Sequence, residues 1–261
     1  MNLKESIGNH TILIFIISLL ILLSAALFSL SIGTAEITIL DTARILVQGK
    51  NAADVSQAHT YIIHNVRVPR IITALLVGMS LSISGVIFQA LFRNPMAEPF
   101  ILGVSSGAAF GVSLGSFLGA FILIPGIWGV PLFAFGGAVT ASTFIYFLSG
   151  GMRSSTLTLL LSGVAMNFFL SSLMSLFMFF NREQLESIVY WSMGSFSSAS
   201  WEKLAVAGPL LLAGILVLPK YRKELDLLLL GEETAKAMGL SVRGIRIGLL
   251  IVSTLLTALA V

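Results

Sequence analysis

The sequence contains no cysteine, which excludes disulfides and thiolate metal sites without fixing the compartment. Charge is scarce. Lys, Arg, Asp and Glu make up 10% of the 261 residues, where a soluble domain carries about 25%. Most of the chain therefore has no water to face. None of the charged side chains, and none of the three histidines, falls deep inside an apolar run. Ionisable groups at membrane depth are costly and mark ion or proton pathways. Their absence argues against a proton-coupled carrier, a voltage sensor or an intramembrane hydrolase. There is no G-x-x-x-x-G-K-[ST] loop, so ATP cannot bind by that route, and energy for active transport must enter from another subunit. The net charge of +3 is too small to suggest nucleic acid as a partner. No covalent chemistry, cofactor or metal site is expected.

What the chain has is apolar length. A span needs roughly 20 apolar residues, and six runs meet or approach that, at about 11–33, 69–92, 101–123, 128–149, 155–180 and 202–218. A seventh begins near Ile245 and is apolar to Val261. The expected fold is an all-α, polytopic integral membrane bundle of six full spans plus the start of a seventh. It forms a single domain over 1–261, cut inside a helix. The run Thr11–Gly33 is too long for a signal-peptide h-region and lacks a small-residue cleavage site, so it reads as a retained span. With the N-terminus inside, the inner segments hold Lys4, Arg93, Arg153, Lys220, Arg222, Lys223, Lys236, Arg243 and Arg246. The outer segments hold Arg44, Lys50, Arg67, Arg70, Arg182 and Lys203. The bias favours that orientation. The outer segment 34–66 is long and contains an amphipathic stretch, Ile37–Gln48, with Gly49 placed to close a short surface helix. A second outer excursion, 182–201, carries Trp191 and Trp201 as interfacial anchors. The main inner excursion is 219–246.

Two stripes stand out at helical spacing. Gly103, Gly107, Gly111, Gly115 and Gly119 recur every four residues and form a smooth ridge suited to close backbone approach. Gly163, Asn167, Ser171 and Ser175 mix small and polar groups. That pattern suits either packing or a pathway lining.

Two segments carry the specific signal. The first is Arg67-Val68-Pro69-Arg70, a span, then Arg93-Asn94-Pro95-Met96-Ala97-Glu98-Pro99 leading into a Gly-rich return helix. Asn-Pro initiates turns, and Pro99 favours a break before the next helix. The second is the inner stretch Leu225–Leu240, with Gly231-Glu232-Glu233-Thr234-Ala235-Lys236-Ala237-Met238-Gly239 at its centre. Glu232 and Glu233 suit the start of a helix over Glu232–Met238, Lys236 suits its end, and Glu232 with Lys236 makes an i,i+4 pair. Gly239 can end it in the left-handed conformation.

Together these segments resemble the permease family that imports iron–siderophores, haem and vitamin B12, the type II ATP-binding-cassette importers. The family has about ten spans, so the resemblance implies that the last third of the fold is missing here. It implies a bacterial plasma-membrane protein working with a second permease subunit, two cytoplasmic ATPases and an extracytoplasmic binding protein. Arg67 and Arg70 then correspond to a pair that docks the binding protein. Asn94, Met96, Thr156, Leu157 and Thr158 correspond to an inner gate. Gly231, Glu232, Glu233, Ala235, Lys236, Met238 and Gly239 correspond to the helix that couples to the ATPase. Two other readings stay open at this level: an ion-gradient-driven secondary carrier, and a non-transporting membrane scaffold.

Overall fold

The computed structural model describes residues 3–49, 55–120, 127–151, 156–180 and 185–261; Lys50, Arg153 and Arg182 therefore lie outside the described residues. Every regular element among the described residues is helical. In chain order they are α1 (Leu3–Ser31), α2 (Ile39–Gln48), α3 (Gln57–Ile62), a π turn at Ile63–Arg67 and α4 (Val68–Phe92). A 3-10 turn at Pro99–Leu102 precedes α5 (Val104–Phe117), α6 (Gly129–Leu148), α7 (Thr156–Phe180), α8 (Leu185–Ser192) and α9 (Trp201–Ile215). A second 3-10 turn at Leu218–Tyr221 leads to α10 (Arg222–Leu229), α11 (Glu232–Ala237) and α12 (Val242–Ala260). Among the described residues, six helical runs are long and apolar enough to cross a membrane: His10–Ser31, Gln57–Phe92, Gly129–Leu148, Leu157–Phe180, Trp201–Leu229 and Val242–Ala260.

Two expected spans change places. The run at 101–123 gives an α-helix of only 14 residues, because Gly103 and Gly119 adopt positive φ values of 69° and 63° and break the ladder at both ends. The run expected to start at Ile245 instead starts at Val242 and forms a 19-residue helix, long enough to span. The five-glycine ridge shortens accordingly: Gly107, Gly111 and Gly115 lie in α5, while Gly103 and Gly119 act as breaks.

The chain divides into two compact units. The first comprises residues 1–75 and 196–204. Its small core is Ile37, Ile45 and Ile63. The surface helix forms as the sequence suggests: Thr38 Oγ1 accepts from the Asp41 amide at 3.1 Å, and Gly49 closes α2 at a φ of 60°. The continuation of helix back to Gln57 was not legible in the sequence. Its cause is Pro69. The Val68 amide donates to Ile63 O, in π register. Pro69 has no N–H to donate in its turn, so the His64 carbonyl lacks a ladder donor. The Trp201 indole supplies one, at 2.8 Å. Trp201 thus ties together the two segments expected on the outer side.

The second unit comprises residues 76–195 and 205–261, and α5 lies at its centre. Gly107 and Gly111 of α5 face Gly137 and Phe133 of α6 backbone to backbone. A Cβ on Gly111 would run into Phe133 O, and one on Gly137 into Gly107 O. Small residues permit this approach, and with no water to expel, van der Waals packing is what holds membrane helices together. On its other side α5 stacks Phe110 and Phe117 on Phe177 of α7, at 5.7 and 5.0 Å. Helix α12 joins α4 through Ser84 Oγ, which donates to Ser253 O at 3.2 Å. Trp191, expected as an interfacial anchor, is half-buried against this unit's core.

Candidate functional site

The site grows from the turn after α4. Arg93 N donates to Ala90 O and Asn94 N to Gln89 O. This is the paired bonding of a Schellman motif, with Arg93 in the left-handed position usually held by glycine; its φ is 49°. Asn94 Oδ1 then accepts from the Met96 amide at 2.9 Å, closing the Asn-Pro turn. The 3-10 turn Pro99–Leu102 forms an elbow with Pro99 and Leu102 buried, and its carbonyls are held from the side. Ser142 Oγ of α6 donates to Leu102 O at 2.9 Å. Asn167 Nδ2 of α7 reaches Phe100 O at 3.5 Å, while its Oδ1 accepts from Ser106 Oγ at 2.6 Å. Gly163 of α7 lies so close that a Cβ would run into Ile101 O.

This changes the reading of the α7 stripe. Gly163 and Asn167 brace the elbow. Ser171 and Ser175 are exposed. In the expected gate, Met96 is 82% and Leu157 65% exposed, so both offer apolar surface outward. Thr158 is exposed as well. The side chain of Thr156 lies outside the described part.

The inner segment forms close to expectation. Gly231 opens α11 at a φ of 112°, and Gly239 ends the segment at 85°. Met238 is the cap residue rather than part of the helix. The ion pairs differ from the expected register. Lys236 Nζ meets Glu233 Oε1 at 3.0 Å, and Glu232 Oε1 pairs with Arg246 at 3.3 Å. The hydrogen bond that Lys236 Nζ donates to the Glu233 carboxylate raises the lysine's pKa above its ordinary value. Ala235 is fully buried in the chain's own core, so it is not the contact left open for a partner. The exposed face carries Leu229, Leu230 and Met238, at 55%, 63% and 61%. Arg93 opens the 93–99 motif but carried no expected role of its own; a Cβ on Gly231 would lie 3.3 Å from its guanidinium. The turn after α4 and the start of α11, both expected on the inner side, therefore meet.

The two arginines expected on the outer side separate. Arg67 is 8% exposed. It donates to Leu30 O at 2.6 Å, completing a carbonyl that the end of α1 leaves without a partner, and to Ala35 O at 2.8 Å in the segment that follows. Arg70 is exposed. The expectation of a matched pair on one open face is corrected for Arg67, whose charge is spent within the chain. Among the described residues, no three His, Asp or Glu side chains gather to hold a metal ion.

The profile of the FecCD transport family matches residues 19–261. The chain belongs to the FecCD transport family. An ABC transporter permease of Bacillus subtilis is 33% identical over 258 residues, covering 97% of this chain and 73% of the relative. The molybdate import permease of Haemophilus influenzae is 38% identical, covering 87% and 67%. The hemin transport permease of Yersinia pestis is 38% identical, covering 76% and 60%. A solved ABC transporter assigned to the metal-chelate type, in an inward-facing conformation, superposes with a TM-score of 0.78 at 32% identity, covering 92% of this chain and 72% of its own. This FecCD chain is thus a polytopic helical transport subunit. The braced elbow and the α10–α11 pair are its most built features outside the spans.

Proposed function

We propose that the chain is the permease subunit of an ATP-driven importer that carries a metal chelate, such as an iron–siderophore complex, from an extracytoplasmic binding protein into the cytoplasm. The N-terminus and α10–α11 face the cytoplasm, and the permease pairs with a second permease subunit. The observation that carries this reading is the exposure of three large apolar side chains, Leu229, Leu230 and Met238, at the C-terminal ends of α10 and α11. Leu230 and Met238 flank Gly231–Lys236, a stretch too charged to enter a bilayer. An ordered helix with an apolar exposed face is what a groove-binding partner takes, and Met adapts to such contacts. Ala235 anchors α11 to the permease core, so a push on these side chains passes to α12 and, through Gly231 and Arg93, to the elbow. On the outer side Arg70 offers the free charge for an acidic binding protein. Met96, Leu157 and Thr158 suit an inner gate.

The test is co-expression with its ATPase and binding protein, followed by uptake of a radiolabelled ferric chelate in vesicles. Uptake that needs ATP and the binding protein is expected. Uptake that survives ATP depletion and collapses with the ion gradient would overturn the coupling scheme. Transport of molybdate but no ferric chelate would overturn the cargo.

A further inference from the structure

Three cations stand where the apolar run of α9 ends. That run stops at Leu218, and Lys220, Arg222 and Lys223 follow at once. All three are exposed, and among the described residues none has an acidic partner. The other basic side chains of 219–246 are engaged: Lys236 with Glu233, Arg246 with Glu232, and Arg243 within the chain as well. Glu224 does not answer the trio, because it is half-buried with Oε2 enclosed. Asp226 is the one exposed acid of α10, so this surface keeps an excess of positive charge. Helix α10 gains nothing from that charge. Arg222 and Lys223 stand in its first turn, where the peptide dipoles disfavour a cation. Just before the trio, Leu216 N donates to Leu212 O. Leu212 and Leu216 therefore share a face, and both are exposed.

We infer that Lys220, Arg222 and Lys223 bind an anionic phospholipid, with the headgroup phosphate against the three cations and an acyl chain along Leu216 and Leu212. The reason is complementarity of charge and of position. The cations stand at the end of a span, the level at which headgroups lie, and Lys and Arg clustered immediately outside a span attract acidic lipid. Exposed apolar surface and then basic surface follow one another along the chain, in the order of acyl chain and headgroup in a lipid. Long basic side chains can lay their stems on apolar surface while their heads reach a phosphate. Inorganic phosphate, or an acidic side chain of a protein partner, would use the charge and leave the leucines uncovered. The inference depends on neither the cargo nor the ATPase of the proposed function.

Because the chain has no cysteine, L216C can carry a single fluorophore. The labelled full chain is reconstituted in phosphatidylcholine vesicles that contain either brominated phosphatidylglycerol or brominated phosphatidylcholine, and quenching by the bromines reports which lipid sits at the label. One basic residue near an acidic headgroup contributes about fivefold, so at low salt phosphatidylglycerol should be favoured at least about fivefold. K220Q/R222Q/K223Q should bring the ratio close to one without lowering the melting temperature. Salt at about 1 M should do the same to the protein with its cations intact, and that arm decides if the triple variant fails to fold. R44Q, an exposed arginine of the first unit, should leave the ratio unchanged. Equal quenching by the two lipids with the trio intact, or a preference that survives the triple substitution, would overturn the inference. Inorganic phosphate that abolished the preference at equal concentration would reassign the cations to a soluble anion. Loss of the ATPase from the triple variant with the lipid preference kept would assign them to the protein partner.

Discussion

Helices α1 and α5 are both apolar, yet they use the property in opposite ways. The span of α1 is the more hydrophobic, with a mean hydropathy of 2.9, and none of that window is buried within the chain. Helix α5 has half the length of α1, is built on glycine, alanine and serine, and buries more than half its residues. In water, hydrophobicity marks what is inside. In a bilayer the lipid is as apolar as leucine, so bulk hydrophobicity marks what may be left outside, and small residues mark where chain meets chain. The same division recurs in two other pairs of residues. Ala235 on α11 is buried while Met238 is open, and Arg67 is locked to backbone while Arg70 is free.

The largest effect that would break this comparison is at the seam. Gly111→Leu should destabilise the protein by about 3 kcal/mol or more, at the top of the overpacking range, because the side chain meets backbone that cannot move aside. Leu20→Ala on α1, where the side chain is 61% exposed, should shift the melting temperature far less. Thermal unfolding in detergent compares the two. Similar melting temperatures for both variants would remove the distinction between seam and lipid face.

Next in size is the arginine pair. Arg67→Gln should cost about 1.5–3 kcal/mol, the range for hydrogen bonds to a charged group, because two carbonyls lose their donor. Arg70→Gln should leave unfolding unchanged and lower the on-rate of an acidic binding protein, most clearly at low salt. Surface plasmon resonance with reconstituted protein measures the second effect. An on-rate loss at Arg67 with no stability loss would restore the matched pair.

Much of this was legible in the sequence, for reasons that differ between elements. The surface helix α2 was readable within two residues because its cap chemistry is local. The family was readable from the motifs at 67–70, 93–99 and 231–239. The π turn was not, since it depends on which carbonyl Pro69 leaves free and on an indole from far along the chain. The length of α5 was misread because glycine carries no sign of whether it will pack or break a helix. At Gly107 and Gly111 it packs; at Gly103 and Gly119 it turns. Burial of Arg67 and the α11 ion-pair register were equally hidden, since each is settled by a residue distant in sequence, Leu30 in one case and Arg246 in the other.

The two faces of α11 give a smaller effect on binding. Met238→Glu should leave the melting temperature near wild type and weaken co-purification of the ATPase about tenfold, the order of one interface contact worth about 1.4 kcal/mol. Ala235→Trp should do the reverse in kind: the fold should suffer first, because nothing around Ala235 can make room. ATPase loss from a stably folded Ala235→Trp protein, with Met238→Glu unaffected, would invert the assignment of the two faces.

The smallest expected effect is at Arg93, and it separates strain from support. A non-glycine residue in the left-handed region costs roughly 1 kcal/mol, and such residues persist where surrounding contacts over-determine them. Here the Schellman bonds fix the backbone, and the guanidinium lies beside Gly231. Arg93→Gly relieves the strain and removes the side chain that reaches the start of α11. Stability should therefore stay level or rise by less than about 1 kcal/mol. The ATPase should still bind, because Leu229, Leu230 and Met238 are intact. Uptake per ATP hydrolysed should fall, because the link between α11 and the elbow is gone. A melting temperature lowered as far as that of Arg67→Gln would make Arg93 a structural strut like Arg67. Unchanged stability with unchanged coupling would mean that the stroke reaches the elbow through α12 alone.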